Sequence, residues 1–252
     1  MNDDLEILKK RFLELSAKAN NGAYFTFTDF LGLPEQSAFG EIKSKLGRCV
    51  HTSFGGATGA ERVVVRFGDP EEIGYEADFP IACIKIEPLA KKFADKLTHR
   101  DFLGALLNLG IERSTLGDIV IADNVGYVFA LDKVAEFIQN ELSRVKRTDV
   151  QAEIIDTLPD VELYRTEQKR IQLSGERLDA VIAKVYSLSR EDAQILFKKR
   201  LVYVDGRLCE SVSYTPKENE KISVRGHGRF IYRGFDSLSR KGKLNAIVEV
   251  YV

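Results

Sequence analysis

The chain has 252 residues, of which 44% are hydrophobic and 30% charged, with a formal charge of −1. These values exclude a disordered tail, a membrane-embedded chain and a protein that is basic throughout, and leave room for two domains or three small ones. Three scattered cysteines, Cys49, Cys83 and Cys209, argue against a disulfide frame or a zinc ribbon and predict a reducing, cytoplasmic setting.

The acidic start Met1–Asn2–Asp3–Asp4 predicts no secretory signal. Leu5, Leu8, Phe12 and Leu15 recur at helical spacing, so a helix is predicted over about 3 to 19. An aromatic stretch, Phe25 to Phe30, follows, and a second helix is expected from Pro34 to about Leu46. Val50 to Phe54 and Arg62 to Phe67 read as strands around the turn Gly55–Gly56–Ala57–Thr58–Gly59.

A second unit is predicted from Asp78, with a strand over Pro80 to Glu87. Thr98 with Asp101 resembles a capping box before the apolar helix His99 to Leu109, which Gly110 stops. Gly117 to Ala122 and Val125 to Leu131 read as strands joined by a tight Asp123–Asn124 turn, whose polar residues also break the longest apolar run. Asp132 is expected to cap a helix to about Arg144, and Asp149 to Ile154 to form a last strand. Strand, helix, strand, strand, helix, strand is the ferredoxin-like order, which many single-stranded RNA readers share.

Thr157–Leu158–Pro159–Asp160 reads as a joint. Beyond it, Leu178, Val181, Ile182 and Val185 form one helical stripe. Ser189, with Asp192, is expected to cap a second helix whose Ala193, Leu196 and Phe197 face the core. Leu201 to Val204, the turn Asp205–Gly206 and Arg207 to Cys209 read as a hairpin, and Lys221 to Gly226 as the next strand. Gly228 to Tyr232 and Leu244 to Val250 predict a closing hairpin whose tip, Ser239 to Lys243, is basic.

Charge is uneven along the chain. Ile171 to Val252 holds 15 Lys and Arg against 10 Asp and Glu, whereas Met1 to Arg170 holds 22 against 28. A basic segment attracts polyanions through counterion release, although a solvated basic surface reads the same way from charge alone. Arg190, Gln194 and Lys198 recur every four residues along one helix edge. If six such cations met phosphates, affinity would fall about a thousandfold between roughly 50 and 200 mM salt.

Several strings carry a resemblance. Arg177–Leu178–Asp179, Ser189–Arg190, Lys198–Lys199–Arg200, Val202 to Gly206 and Ile222 to Gly226 together resemble the S4-type RNA-binding domain. Asn219–Glu220 departs from it, standing where that family has a Gly–Asp turn. The string His99 to Arg113 with Leu116–Gly117–Asp118–Ile119, together with Phe27 to Leu31 and Gly55–Gly56 before Ala60–Glu61–Arg62, resembles the YlmH family of bacterial S4 proteins.

The resemblance spans nearly the whole chain. It implies an α+β protein of three units: an N-terminal α/β domain over 1–77, a central ferredoxin-like RNA-binding domain over 78–160, and an S4 domain with its closing hairpin over 161–252. It also implies a monomer, not an enzyme, that binds ribosomal RNA and tRNA on the large ribosomal subunit in ribosome-associated quality control. Older descriptions tie the family to cell division.

The candidate RNA-binding residues are Arg177, Arg190, Gln194, Lys198, Lys199, Arg200, Arg207, Arg225 and Arg229. In the central unit His99, Arg100, Arg113, Tyr127 and Phe129 are further candidates. There His99 reads more readily as a cap residue than as a base, and the two aromatics as a packed sheet face rather than a stacking platform.

No catalytic, cofactor or metal residue is expected. Gly55 to Gly59 lacks the Gly–Lys–Ser/Thr of a phosphate loop, and Cys49 with His51 has no second ligand pair. An S4-guided RNA-modifying enzyme, pseudouridine synthase-like or a methyltransferase, remains an alternative, with Asp101, Asp118 and Asp123 the acids to suspect. A cell-division scaffold is another.

Overall fold

A computed structural model describes residues 2–156, 158–159, 164–238 and 243–251. The chain forms two compact units, Met1–Leu163 and Tyr164–Val252. The basic tip predicted at Ser239 to Lys243 falls, except for Lys243, outside the described residues, as do Thr157 and Asp160 of the joint.

The first unit opens with helix α1 (Asn2–Gly22), which buries Phe12, Leu15 and Ala19. Strand β1 (Thr26–Phe27) and helix α2 (Leu33–Ile42) follow, the latter shorter than predicted because a 3-10 turn replaces its end. Strands β2 (His51–Phe54) and β3 (Val64–Phe67) complete a three-stranded antiparallel sheet in the order β1-β3-β2. Edge-to-face contacts of Phe39 with Phe12 and Phe67, at 5.3 and 5.8 Å, fasten the helices to the sheet. Helix α3 (Pro70–Ile73) is capped by Asp69, which accepts from the Glu71 amide at 2.9 Å.

The second sheet of this unit contains β4 (Ile81–Pro88), then, after helix α4 (His99–Asn108), β5 (Leu116–Ala122) and β6 (Val125–Leu131). Helix α5 (Asp132–Glu141), β7 (Arg144–Val145) and β8 (Thr148–Ile155) close it. The antiparallel order β5-β6-β4-β8-β7 is the ferredoxin-like order with one short extra strand. Asp123 and Asn124 both take left-handed φ, 50° and 65°, as a tight hairpin turn requires. Asp132 does not cap α5: Leu131 holds that position, with no side-chain bond, and the helix stops at Glu141 because Arg144 already belongs to a strand.

Both faces of this second sheet are covered. Ile84, Ile86 and Val128 pack beneath Phe102, Leu106 and Ile138 of α4 and α5. Cys83, Val120, Tyr127 and Phe129 pack on the other side with Phe30 and Val64. All seven residues of β6 are therefore buried, the pattern of a strand with no solvent face. Polar bonds seal the same seam. Arg62 donates to the carbonyls of Leu116 at 2.8 Å, Phe30 at 3.0 Å and Arg113 at 3.2 Å. Asp118 accepts from the Glu61 amide at 2.6 Å. The predicted division between residues 77 and 78 thus falls inside one compact unit, between its two sheets.

The second unit begins with β9 (Thr166–Leu173), helices α6 (Leu178–Val185) and α7 (Arg190–Lys198), and the hairpin β10 (Val202–Val204) and β11 (Arg207–Leu208). Strands β12 (Lys221–Val224), β13 (Gly228–Leu238) and β14 (Leu244–Tyr251) complete an antiparallel sheet ordered β11-β10-β12-β13-β14-β9. Leu178, Val181, Ile182, Leu196 and Phe197 bury the two helices against Val202, Ile222, Val224, Phe230 and Val248. The departure at Asn219 still makes its turn, because Asn219 itself takes φ 69°. Glu220 holds that turn by accepting from the Tyr214 hydroxyl at 2.7 Å and the Lys217 amide at 2.9 Å.

Candidate nucleic-acid interface

Two of the predicted cations of the second unit, Arg177 and Arg190, converge with Gln194 on one acid. Asp179, at the start of α6, is fully buried. Its carboxylate accepts Nε and Nη2 of Arg177 at 3.1 and 3.0 Å, Nε2 of Gln194 at 2.9 Å and Nε of Arg190 at 3.3 Å. The Ala180 amide adds a bond at 2.9 Å. Burial pushes this carboxyl up, but the bonds from Gln194, Arg177 and Arg190 outweigh it and hold the group below its ordinary range. A buried ionised acid thus fixes two guanidinium groups that are themselves 41% and 52% exposed. Fixed cations of this kind lose little freedom when a phosphate docks on their outer edges.

The sequence makes this arrangement locally. Ser189 accepts the Asp192 amide at 3.0 Å and starts α7, which places Arg190 and Gln194 one turn apart and toward Asp179. Ala193, Leu196 and Phe197 take the opposite face into the core. At the far end of α7, Lys198 and Lys199 are exposed and form no ion pair among the described residues. Arg200 follows with φ 57°, its Nε 3.4 Å from Glu210. Arg207 is exposed in the neighbouring hairpin.

Arg225 and Arg229 do not join this group. The register pairs Tyr203 with Ser223 and Ser223 with Arg229, on the sheet face turned away from α6 and α7. There the Arg225 guanidinium lies 4.6 Å from the Tyr203 ring centroid, and that of Arg229 lies 5.5 Å from Tyr251. The nine predicted residues therefore divide among the helix pair and its C-terminal end, the β10–β11 hairpin that carries Arg207, and the opposite sheet face.

The central candidates fare differently. His99 and Arg100 are exposed in the first turn of α4. Its capping box forms as expected, with Thr98 N and Oγ1 donating to Asp101 at 2.8 and 2.7 Å. Arg113 turns inward, donating to the Leu116 and Gly117 carbonyls at 2.7 and 3.2 Å, and so holds the chain rather than facing solvent. Tyr127 and Phe129 are 8% and 2% exposed. Phe30 and Val64 share the core on their side of the sheet, so neither ring has a face open to a base.

The acids considered for catalysis are likewise engaged in structure. Asp101 caps α4, Asp118 is buried and binds the Glu61 amide, and Asp123 forms a turn. No group of His, Cys, Asp and Glu that could hold a metal occurs among the described residues. No helix among them is long and apolar enough to cross a membrane. The feature that the sequence reading missed is the role of Asp179. The available signal was an acid inside the apolar stripe of α6, two residues from an arginine.

Residues 75–158, which span the second sheet with α4 and α5, match the family described as "Putative RNA-binding domain in YlmH". Over 232 residues the chain is 31% identical to the ribosome-associated protein quality control protein P2 of Bacillus subtilis (strain 168), covering 88% of this chain and 86% of that one. The chain belongs to the YlmH family. A solved structure of the cell division protein ylmH from Streptococcus pneumoniae is 24% identical, covering 60% of this chain and 90% of that chain with a TM-score of 0.48. Membership in the YlmH family agrees with the α+β architecture and with the strings His99 to Arg113 and Arg177 to Asp179.

Proposed function

We propose that this YlmH-family protein is a cytoplasmic, monomeric, non-enzymatic RNA-binding protein of the large ribosomal subunit. In this reading it contacts ribosomal RNA and peptidyl-tRNA and serves quality control on stalled subunits. One observation carries it: buried Asp179 gathers Arg177, Arg190 and Gln194 at one end of the S4-like helix pair, with Lys198 and Lys199 exposed along the same helix. That is a rigid cationic edge suited to phosphodiester oxygens. The name of the Bacillus subtilis relative supports the ribosomal setting, and the family matched by residues 75–158 supports RNA as the partner. The acids Asp101, Asp118 and Asp123, each used in structure, favour binding over RNA modification.

Sucrose-gradient sedimentation of a cell extract tests this reading. The protein is expected with large subunits at low salt, and Arg190→Ala with Lys198→Ala is expected to move it toward the top. Wild-type protein found only at the top, with stalled subunits present, would refute the proposal.

A further inference from the structure

Buried Tyr127 and Phe129 leave the first unit without the sheet-face platform of other ferredoxin-like RNA readers. A different aromatic residue is available. Phe93 is 83% exposed, the highest value among the exposed large hydrophobic residues described. It sits in Lys91–Lys92–Phe93–Ala94–Asp95–Lys96, between β4 and α4.

We propose that the first unit carries its own contact for single-stranded RNA, in which Phe93 stacks on an unpaired base while Lys92, Lys96, Lys146 and Arg147 meet the flanking phosphates. The proposal rests on the RNA-binding reading above and adds a second site to it.

The Phe93 loop is anchored at both ends. The Leu89 amide donates to the Asp149 carbonyl at 3.0 Å, and the Asp95 amide to Thr148 Oγ1 at 3.0 Å. Asn124 ties the exit, donating to the Asp95 carbonyl at 2.9 Å and accepting from the Leu97 amide at 2.7 Å. These bonds hold the loop beside the Lys146–Arg147 turn, where Lys146 takes φ 57°. An aromatic ring on an anchored loop stacks at a smaller entropy cost than one on a free tail.

Charge points the same way. Lys92, Lys96, Lys146 and Arg147 form no ion pair within 4 Å among the described residues, although Lys146 lies near enough to Asp101 to add to the Thr98 bonds in lowering its carboxyl, and the Lys92 ammonium lies 5.8 Å from the Phe93 ring centroid. Two neighbouring acids are engaged, Asp149 with Arg144 at 2.8 Å and Asp101 in the cap of α4, while Asp95 has one carboxylate oxygen buried without a hydrogen-bond partner. The groove between α4 and β7 is mixed in charge, lined by Arg100, Arg144 and Lys146 but also by Asp101 and Glu141, so the cations that count for the site are those of the two loops. Cations around a protruding ring are the elements of sequence-tolerant single-strand binding, whereas bases stacked in a duplex offer the ring no free face.

The test is fluorescence anisotropy of the full chain with a labelled oligouridine, a labelled RNA hairpin duplex and phosphatidylserine vesicles. Each variant is also made in the Arg190→Ala, Lys198→Ala background, so that the second unit does not mask the effect. Phe93→Ala is expected to weaken oligouridine binding about 5- to 100-fold and to leave duplex binding unchanged. Phe93→Tyr should restore it. Lys92→Ala with Lys146→Ala should lower the salt slope by about 1.4. Oligouridine binding unchanged by Phe93→Ala, while Arg190→Ala still weakens RNA binding, overturns this site and leaves the wider reading standing. If the wild-type chain binds neither RNA, both fall. Loss of vesicle binding with RNA binding intact overturns the site in favour of a membrane contact.

Discussion

Asp179 and Arg177 form a two-pronged ion pair across only two residues of chain, with bonds of 3.1 and 3.0 Å. The acid is fully buried and the arginine 41% exposed, so the pair faces the protein on one side and solvent on the other. The cationic edge is therefore built around a carboxylate that itself never meets a ligand.

Removing that charge should loosen the edge. Asp179→Asn is expected to lower stability at neutral pH by about 1–3 kcal/mol, since one acceptor is lost among several donors. The folded carboxyl titrates below its unfolded value. Its contribution is thus complete above the ordinary carboxylate range and disappears as pH falls through the depressed folded value. Urea unfolding of wild type and variant should differ at pH 7 and converge in strong acid. A difference that persists unchanged into strong acid contradicts the assignment.

Arg190→Ala with Lys198→Ala should weaken RNA binding without unfolding the chain. Asp179 keeps Arg177, Gln194 and the Ala180 amide as partners. Two lost phosphate contacts should reduce the slope of log affinity against log salt by about 1.8 on a duplex. Anisotropy across a salt series reads this, and an unchanged slope removes both residues from the interface.

Phe129 is expected to matter for stability rather than for RNA. Phe129→Ala opens a cavity in a fully buried strand and should cost about 3–5 kcal/mol. Gly117→Ala probes the same seam, because an added Cβ would lie 2.7 Å from the Phe30 ring and 2.9 Å from Phe129 Cβ. Overpacking of this kind costs about 1–3 kcal/mol. Tyr127→Leu, checked for folding, should leave oligouridine affinity unchanged, and a marked loss would show that a base reaches this face.

Arg62 ties the two sheets of the first unit together. Arg62→Ala strips donors from the Phe30, Leu116 and Arg113 carbonyls and should cost about 1–3 kcal/mol. Hydrogen exchange should then rise in β3 and β5 together. A rise confined to one sheet would mean that the bridge contributes little.

Much of the fold was legible because its signals are local. The Thr98–Asp101 capping box, the Asp123–Asn124 and Asp205–Gly206 turns and the α6 stripe each depend on residues within one or two turns of chain. Strand β9 escaped notice because only Ile171 and Leu173 of its eight residues are buried, so it lacks the alternation by which strands are read. Its identity comes from pairing with β14, a partner more than seventy residues away.

The sequence by itself determined the order of elements, the turns, the basic final segment and the spacing of Arg190, Gln194 and Lys198, since all of these follow from short-range periodicity and composition. Tertiary structure alone decided which of those residues act together. It buried Tyr127 and Phe129 under a second sheet, turned Arg113 onto carbonyls, separated Arg225 and Arg229 from the helical edge, and gave Asp179 its role. The reason is physical: whether a side chain meets solvent, a carbonyl or a carboxylate depends on segments distant in the chain. A helical or strand period fixes the direction in which a residue points but not what waits there.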